Sequence, residues 1–301
     1  MQIVANRILI DYEEVGPRDA PALVLIRGLG TQRIQWPEPF LAGLAARGLR
    51  VVSFDNRDVG ESTKFDKAGP ADVAGAMARV LKGEPVDPPY RLDDMARDVI
   101  GLLDALEIER AHVVGISMGG MIAQLVAVNH GERVRSLVSA MSSSGHPDLP
   151  PARPEAMRAL TSQPRKPGDR DSVIEHSIEV HRVLEGSGFI ADEADVRDLA
   201  GRRFDRCYYP DGVARQLVAV LANRGRFEML EKISVPTLVI HGEDDPLVPV
   251  ECGIDTARRI PGARLKTIKG MGHTIPLGVV PTLVDAIADH AQAADAAEPG
   301  S

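Results

Sequence analysis

The chain has 301 residues, of which 44% are hydrophobic, enough to bury a large core in one α/β domain or in a domain that carries an insertion. A formal net charge of −8 argues against a nucleic-acid partner, whose phosphates call for a basic face, and disfavours an anionic membrane surface for the same reason. The two cysteines, Cys207 and Cys252, lie far apart without metal-ligand spacing, so they read as free thiols in a reducing compartment and imply no metal.

Met1 to Arg7 shows no basic region followed by an apolar stretch, and no apolar run is long enough to span a bilayer. A cytoplasmic location without a membrane partner is therefore expected. Gln2 to Val4 and Arg7 to Glu13 read as an antiparallel pair turning at Ala5-Asn6, and Ala22 to Ile26 as a strand buried on both faces of a parallel sheet. That strand runs into Arg27-Gly28-Leu29-Gly30, whose glycines let the backbone come close to whatever lies beyond the strand end. A helix over Glu38 to Ala46 leads to a strand at Leu49 to Phe54 and then to the charged loop Asp55 to Ser62, read as a hydrogen-bonded loop shaping the top of the sheet. An irregular excursion with one short helix, Val73 to Leu81, precedes an amphipathic helix marked by Leu92, Met95, Ala96, Val99, Ile100, Leu103 and Leu106.

The stretch His112 to Met121 then reads as strand, sharp turn and helix, with Gly115-Ile116-Ser117-Met118-Gly119 at the turn. Such an elbow presents its serine on a strained backbone, and a residue bulkier than Gly at 115 or 119 would collide with neighbouring backbone. Ser117 is the candidate nucleophile. After a strand at Arg135 to Ala140, helical stripes recur in Ala156 to Leu160, Val173 to Leu184, Val196 to Phe204 and Val213 to Leu221, so residues 146–229 read as an all-helical insert. Strand grammar returns at Pro236 to Ile240 and Ala263 to Lys269, separated by a helix over Cys252 to Arg259 and followed by one from Val279 to about His290. The tail, 291–301, is expected to be disordered.

A serine hydroxyl needs a base to remove its proton and an acid to orient that base. Of the eight histidines, His273 is the best placed, because it follows the last strand in the flexible loop Gly270-Met271-Gly272-His273. The segment after the preceding strand, His241 to Pro249, offers Glu243, Asp244 and Asp245 as the acid.

The elbow, the glycine loop, the split sheet and the order Ser, acid, His together resemble the α/β-hydrolase family over nearly the whole chain. Arg27 to Gly30, Phe54 to Gly60 and Tyr90 to Met95 look most like bacterial esterases and methylesterases of polyketide tailoring, close to the cofactor-free haloperoxidase group. The resemblance implies a mostly parallel sheet of about eight strands flanked by helices, with core segments 1–145 and 230–290 and residues 146–229 as a helical cap. It implies Asp245, which directly precedes Pro246-Leu247-Val248-Pro249, as the acid, with Asp244 as its competitor. It also implies an oxyanion hole from the backbone N–H groups of Leu29 and Met118. Many relatives have His where this chain has Arg27, a departure that leaves the Leu29 N–H in place. Relatives that are dehalogenases or epoxide hydrolases carry aspartate at the elbow, and this chain has serine.

The expected activity is hydrolysis of small to medium carboxylic esters through an acyl-enzyme, a methyl ester included, with no cofactor and with room for a homo-oligomer. The alternatives are a C–C bond hydrolase or perhydrolase with the same triad, and a non-catalytic receptor on the same fold. The acidic chain suggests uncharged substrates, and side chains such as Met118, Met157, Val180 and Leu184 would make an adaptable pocket wall, with core packing within the cap expected as the role of most of them.

Overall fold

The structure, a computed structural model, describes residues 1–297. Its strands are β1 (Gln2–Ala5), β2 (Ile8–Val15), β3 (Ala22–Ile26), β4 (Arg50–Phe54), β5 (Ala111–Ile116), β6 (Val134–Ala140), β7 (Thr237–Gly242) and β8 (Arg264–Ile268). They form one sheet in the order β1-β2-β4-β3-β5-β6-β7-β8. The β1–β2 and β2–β4 pairs are antiparallel and every other pair is parallel. The chain passes from β3 outward to β4 and returns to β5 on the other side of β3, so the sheet reverses direction between β3 and β5. Open α/β sheets bind ligands beyond the carboxyl ends of the strands at such a point.

All of β3 and β5 is buried, as expected of parallel strands covered on both faces, which are mostly apolar rather than alternating. One face is covered by α3 (Leu92–Ala105), α4 (Met118–Asn129) and α9 (Val250–Arg259), the other by α1 (Glu38–Ala46) and α10 (Val280–Ala296). In α3 the buried positions Leu92, Met95, Ala96, Val99, Leu102 and Leu103 fall on one helical stripe. Each such side chain contributes about 1.5–3 kcal/mol by leaving water. The helix starts where the Arg91 N–H donates to Asp94 Oδ2 at 2.7 Å, a cap for one of the orphan first-turn donors.

Two expectations are corrected. The β1–β2 turn lies at Asn6 and Arg7, with φ of 48° and 65°, and Ala5 is already paired with Ile8. A left-handed turn is easier for Asn than for Ala, which shifts it by one residue. The tail does not begin at Ala291: α10 continues to Ala296, with Ala291 and Ala294 buried against the core, and only 298–301 lie outside the described residues. Small residues that looked uninformative pack because the helix needs a slim face there.

Between β6 and β7 the described secondary structure is wholly helical: α5 (Pro154–Thr161), α6 (Arg170–Leu184), α7 (Glu193–Arg206), α8 (Pro210–Ala222) and a 3₁₀ turn at Arg226–Lys232. Ile174, Ile178 and Ala200 give α6 and α7 a small core of their own, and α8 packs on α2 (Val73–Leu81) through Val218 and Ala76. Polar anchors tie these helices to the ends of β3 and β4. Arg206 reaches Asp55 at 2.6 Å, Arg215 holds Asp58 with bonds of 2.9 and 3.0 Å, and Gln216 bridges the Arg57 carbonyl and the Gly30 N–H, both at 2.8 Å. The loop after β4 is thus the hydrogen-bonded structure its charge pattern suggested.

Candidate active site

Ser117 directly follows β5, at φ 55° and ψ −123°, the mirror image of extended backbone and a conformation that a side chain disfavours. Two glycines make the bend fit. A methyl group on Gly115 would lie 2.0 Å from the Gly119 carbonyl, and one on Gly119 would lie 2.2 Å from the Ile26 carbonyl. The serine is locked by its N–H donating to Ala140 O at 3.0 Å and by the Ser142 hydroxyl donating to its carbonyl at 2.8 Å.

His273 stands over it. The His273 Nδ1 is 2.7 Å from Asp245 Oδ2 and its Nε2 is 3.0 Å from Ser117 Oγ. An ionised carboxylate can only accept, so Nδ1 carries the proton and Nε2 is left to accept the Ser117 O–H. The other oxygen of Asp245, Oδ1, accepts the N–H groups of Leu247 and Val248 at 2.9 and 2.8 Å, which fixes the carboxylate plane. Asp245 is buried, whereas Asp244 faces outward and accepts the N–H and hydroxyl of Ser187, which pull its pKa down. His241 comes within 3.7 Å of Asp245, but its Nε2–H is donated to Val248 O at 2.7 Å and burial lowers its pKa, so it stays a neutral packing group.

The His273 loop is stitched to the α6–α7 connection. The His273 N–H donates to Leu184 O at 2.7 Å and the Gly188 N–H to Gly270 O at 2.9 Å. The two backbones touch: a methyl group on Gly186 would lie 2.2 Å from Gly270 O, and one on Gly272 would lie 2.4 Å from Leu184 O.

On the opposite side of Ser117, Gly28 packs so closely that a methyl group there would sit 3.1 Å from Ser117 Cβ and 3.5 Å from Oγ. The Gly30 N–H is bonded to Gln216, and that of Thr31 to Gly28 O at 3.3 Å. The N–H groups of Leu29 and Met118 have no acceptor among the described residues. Two unbonded donors therefore flank the serine. A cavity of about 390 Å³ extends from Leu29 and Gly30 beneath the helical insert, walled by Val180, Arg203, Phe204 and Leu217 among others. Of the four side chains named for that wall or for packing, only Val180 lines the cavity. Met118 is turned into the core at the start of α4, Met157 is exposed on α5, and Leu184 ends α6 away from the cavity.

Two arginines stand out, one of them lining this cavity, and the sequence assigned neither a role. Arg27, buried where β3 ends, lies over the Trp36 ring at 4.6 Å and gives its Nε–H to Thr31 Oγ1 at 3.4 Å, while its buried Nη1 has no partner. Arg203 lines the cavity, and its buried Nε has no partner either. Burial, with the neighbouring charge of Arg203, pulls Arg27 down to about 9, and burial pulls Arg203 down to about 10. Both stay cationic at neutral pH. Only a rule that a buried arginine wants an anion could have flagged them, and burial was not readable at those positions.

Among the described residues no three His, Cys, Asp or Glu side chains converge as metal ligands, and no helix is long and apolar enough to cross a membrane.

The reversing sheet, the strained serine and the imidazole–carboxylate pair beyond the strand ends define a hydrolase of the α/β class, and the chain belongs to the α/β-hydrolase family, whose profile matches residues 21–278. It is 32% identical to rhodomycin D methylesterase DauP of Streptomyces sp. (strain C5), with 97% of this chain and 98% of that protein covered. The identity to rhodomycin D methylesterase DnrP of Streptomyces peucetius is 30%, with the same coverage of 97% and 98%. Among solved structures, the meta-cleavage product hydrolase CumD from Pseudomonas fluorescens IP01 superimposes with a TM-score of 0.74 at 22% identity, covering 98% of each chain.

Proposed function

We propose that this protein hydrolyses carboxylic esters of small molecules, a methyl ester among them, through an acyl-enzyme on Ser117. The observation that carries the reading is the continuous hydrogen-bonded row Ser117–His273–Asp245 beside the two unbonded N–H groups of Leu29 and Met118. Full-length similarity to two methylesterases supports the ester as the bond cleaved.

In this reading His273 Nε2 takes the Ser117 proton as Oγ attacks the ester carbonyl. The negative charge that develops on the carbonyl oxygen is received by Leu29 N–H and Met118 N–H. Donors already in place stabilise it without reorganising, and loss of one such donor costs about 3–4 kcal/mol of barrier. His273 passes its proton to the departing alkoxide, then deprotonates a water that attacks the acyl-serine, and returns that proton to Ser117 Oγ as the acyl–Oγ bond breaks and the acid leaves. Asp245 holds the Nδ1–H tautomer and stabilises the imidazolium throughout. Residues 146–229 serve as a cap over the cavity, and unpaired thiols at Cys207 and Cys252 suit a reducing cytoplasm.

The test is a fluorophosphonate probe together with p-nitrophenyl esters from acetate to palmitate and a panel of methyl esters. We expect labelling of Ser117 and turnover of the short esters. Strong labelling without any ester turnover would point to C–C bond hydrolysis, and absence of both to a receptor.

A further inference from the structure

We propose that the cavity next to Leu29 contains a built carboxylate-binding subsite, formed by Arg27 and Arg203, and that the preferred substrates are esters whose acid part carries a second, free carboxylate. The inference rests on the ester-hydrolase reading for its reaction but not for its binding site.

The two guanidiniums are short of partners. Each has a buried nitrogen with no hydrogen-bond partner, and neither has a carboxylate within ion-pair distance among the described residues. A buried charge is tolerated when it is paired and hydrogen-bonded, and two like charges side by side are worse than one. The acids that could have served are engaged elsewhere. Asp55 holds Arg206 and the N–H groups of Arg33 and Glu61, Asp58 holds Arg215 and the Phe65 N–H, and Glu185 accepts the Ala191 N–H. Trp36 offsets part of the cost for Arg27 by cation–π attraction, without supplying an anion.

What is missing is one planar anion, and the cavity is where it can enter. Arg203 lines that space from α7, and Arg27, whose charge feels that of Arg203, lies at the root of the loop that presents the Leu29 N–H. Guanidinium forks match carboxylates with paired hydrogen bonds, which a lysine cannot reproduce. Because Arg27 is joined to Gly28, and Gly28 packs on Ser117, the subsite and the reacting carbonyl share one rigid stretch of backbone. A half-ester of a dicarboxylic acid would span them, its ester on Ser117 and its free end on the arginines. This reverses, at the site, the preference for uncharged substrates that the net charge of the chain suggested.

The test compares monomethyl with dimethyl esters of glutaric, adipic and pimelic acids, each pair measured as a ratio of kcat/KM. In the unmodified protein we expect the half-ester of at least one length to be favoured roughly tenfold to hundredfold, the range of a charge-assisted hydrogen-bond pair. In Arg203→Met that ratio should collapse towards one, while Arg203→Lys should keep part of it. Removing an unpaired buried charge should also raise Tm in Arg203→Met, which separates a lost subsite from a lost fold. A ratio near one in the unmodified protein, or an unchanged ratio in Arg203→Met, overturns the proposal. If no ester is turned over, binding still decides. The chain has a single tryptophan, Trp36, and its fluorescence reports on the Arg27 guanidinium above it. Saturable quenching by adipate but not by 1,6-hexanediol, lost in Arg203→Met, would sustain the subsite although the ester reading had failed. Absence of such quenching would end both.

Discussion

Replacing Asp245 by asparagine tests the hydrogen-bonded row at its most constrained point. The Oδ1 position accepts two backbone N–H groups, from Leu247 and Val248, so an amide NH₂ cannot sit there without facing two donors. The amide nitrogen is forced into the Oδ2 position, 2.7 Å from His273 Nδ1. Nδ1 must then accept, the ring proton moves to Nε2, and Nε2–H points at the Ser117 hydroxyl that Nε2 deprotonates in the proposed mechanism. The fold and the distances survive while the base is lost. Enforcing the wrong tautomer in this way lowers kcat by about 10⁴, or about 5 kcal/mol of barrier. Asp244→Asn loses an outward contact to Ser187 and should stay within about tenfold of the parent. The assay is steady-state and pre-steady-state hydrolysis of p-nitrophenyl acetate, with unfolding curves to show that both variants fold. An Asp245→Asn enzyme within tenfold of the parent, or a deeper loss in Asp244→Asn, would refute the reasoning.

Three further outcomes follow from particular contacts. Ser117→Gly should abolish turnover yet stabilise the fold, because relief of roughly 1–3 kcal/mol of backbone strain exceeds the roughly 1 kcal/mol of one hydrogen bond; a lower midpoint in urea than the parent would contradict it. Arg215→Met strands the carboxylate of Asp58, in a pair where both side chains are at most 1% exposed, and should cost about 3–5 kcal/mol, much of it regained in the double variant with Asp58→Asn; a double variant as unstable as the single one would reject the pairing. His290 is pulled down to about 4 by burial and by Arg264, so the folded protein keeps it neutral where the unfolded chain takes up a proton. Stability should fall as pH drops from about 6.5 towards 4, and His290→Gln should flatten that part of the Tm–pH curve; an identical slope in the variant would show that His290 is not its source.

Local chemistry was the legible part of the molecule. The elbow at Ser117, the buried strands β3 and β5, and α1 from Glu38 to Ala46 depend on near neighbours in sequence, and they fall where the pattern placed them. Residues whose meaning depends on distant partners were not legible. Asp244 and Asp245 are the same side chain one position apart; the residues alone left both open, the family resemblance pointed to Asp245, and its inward turn towards His273 separates the two in space. Arg203 carries no local signal and Arg27 stood out only as a departure from the family pattern, since what sets both apart is a buried nitrogen without a partner. The segment pattern alone did not locate the first hairpin turn, because the left-handed tolerance of Asn6 decides which two residues make it.

The contact between the α6–α7 connection and the His273 loop bears on how this protein can be recombined with its relatives. Exchange of helical inserts is an attractive route to new specificities, because the insert occupies one continuous run of sequence between β6 and β7. Here the seam is not at the ends of that run. Gly186 and Gly188 meet Gly270 and Gly272 with no space for a side chain on either part, and the His273 N–H is bonded to Leu184 O. A chimaera that imports a foreign α6–α7 connection while keeping the native loop would press new Cβ atoms against the backbone that carries the imidazole. Crossovers should therefore transfer Leu184 to Ala191 and Gly270 to His273 together, as two separated pieces of a single inherited unit.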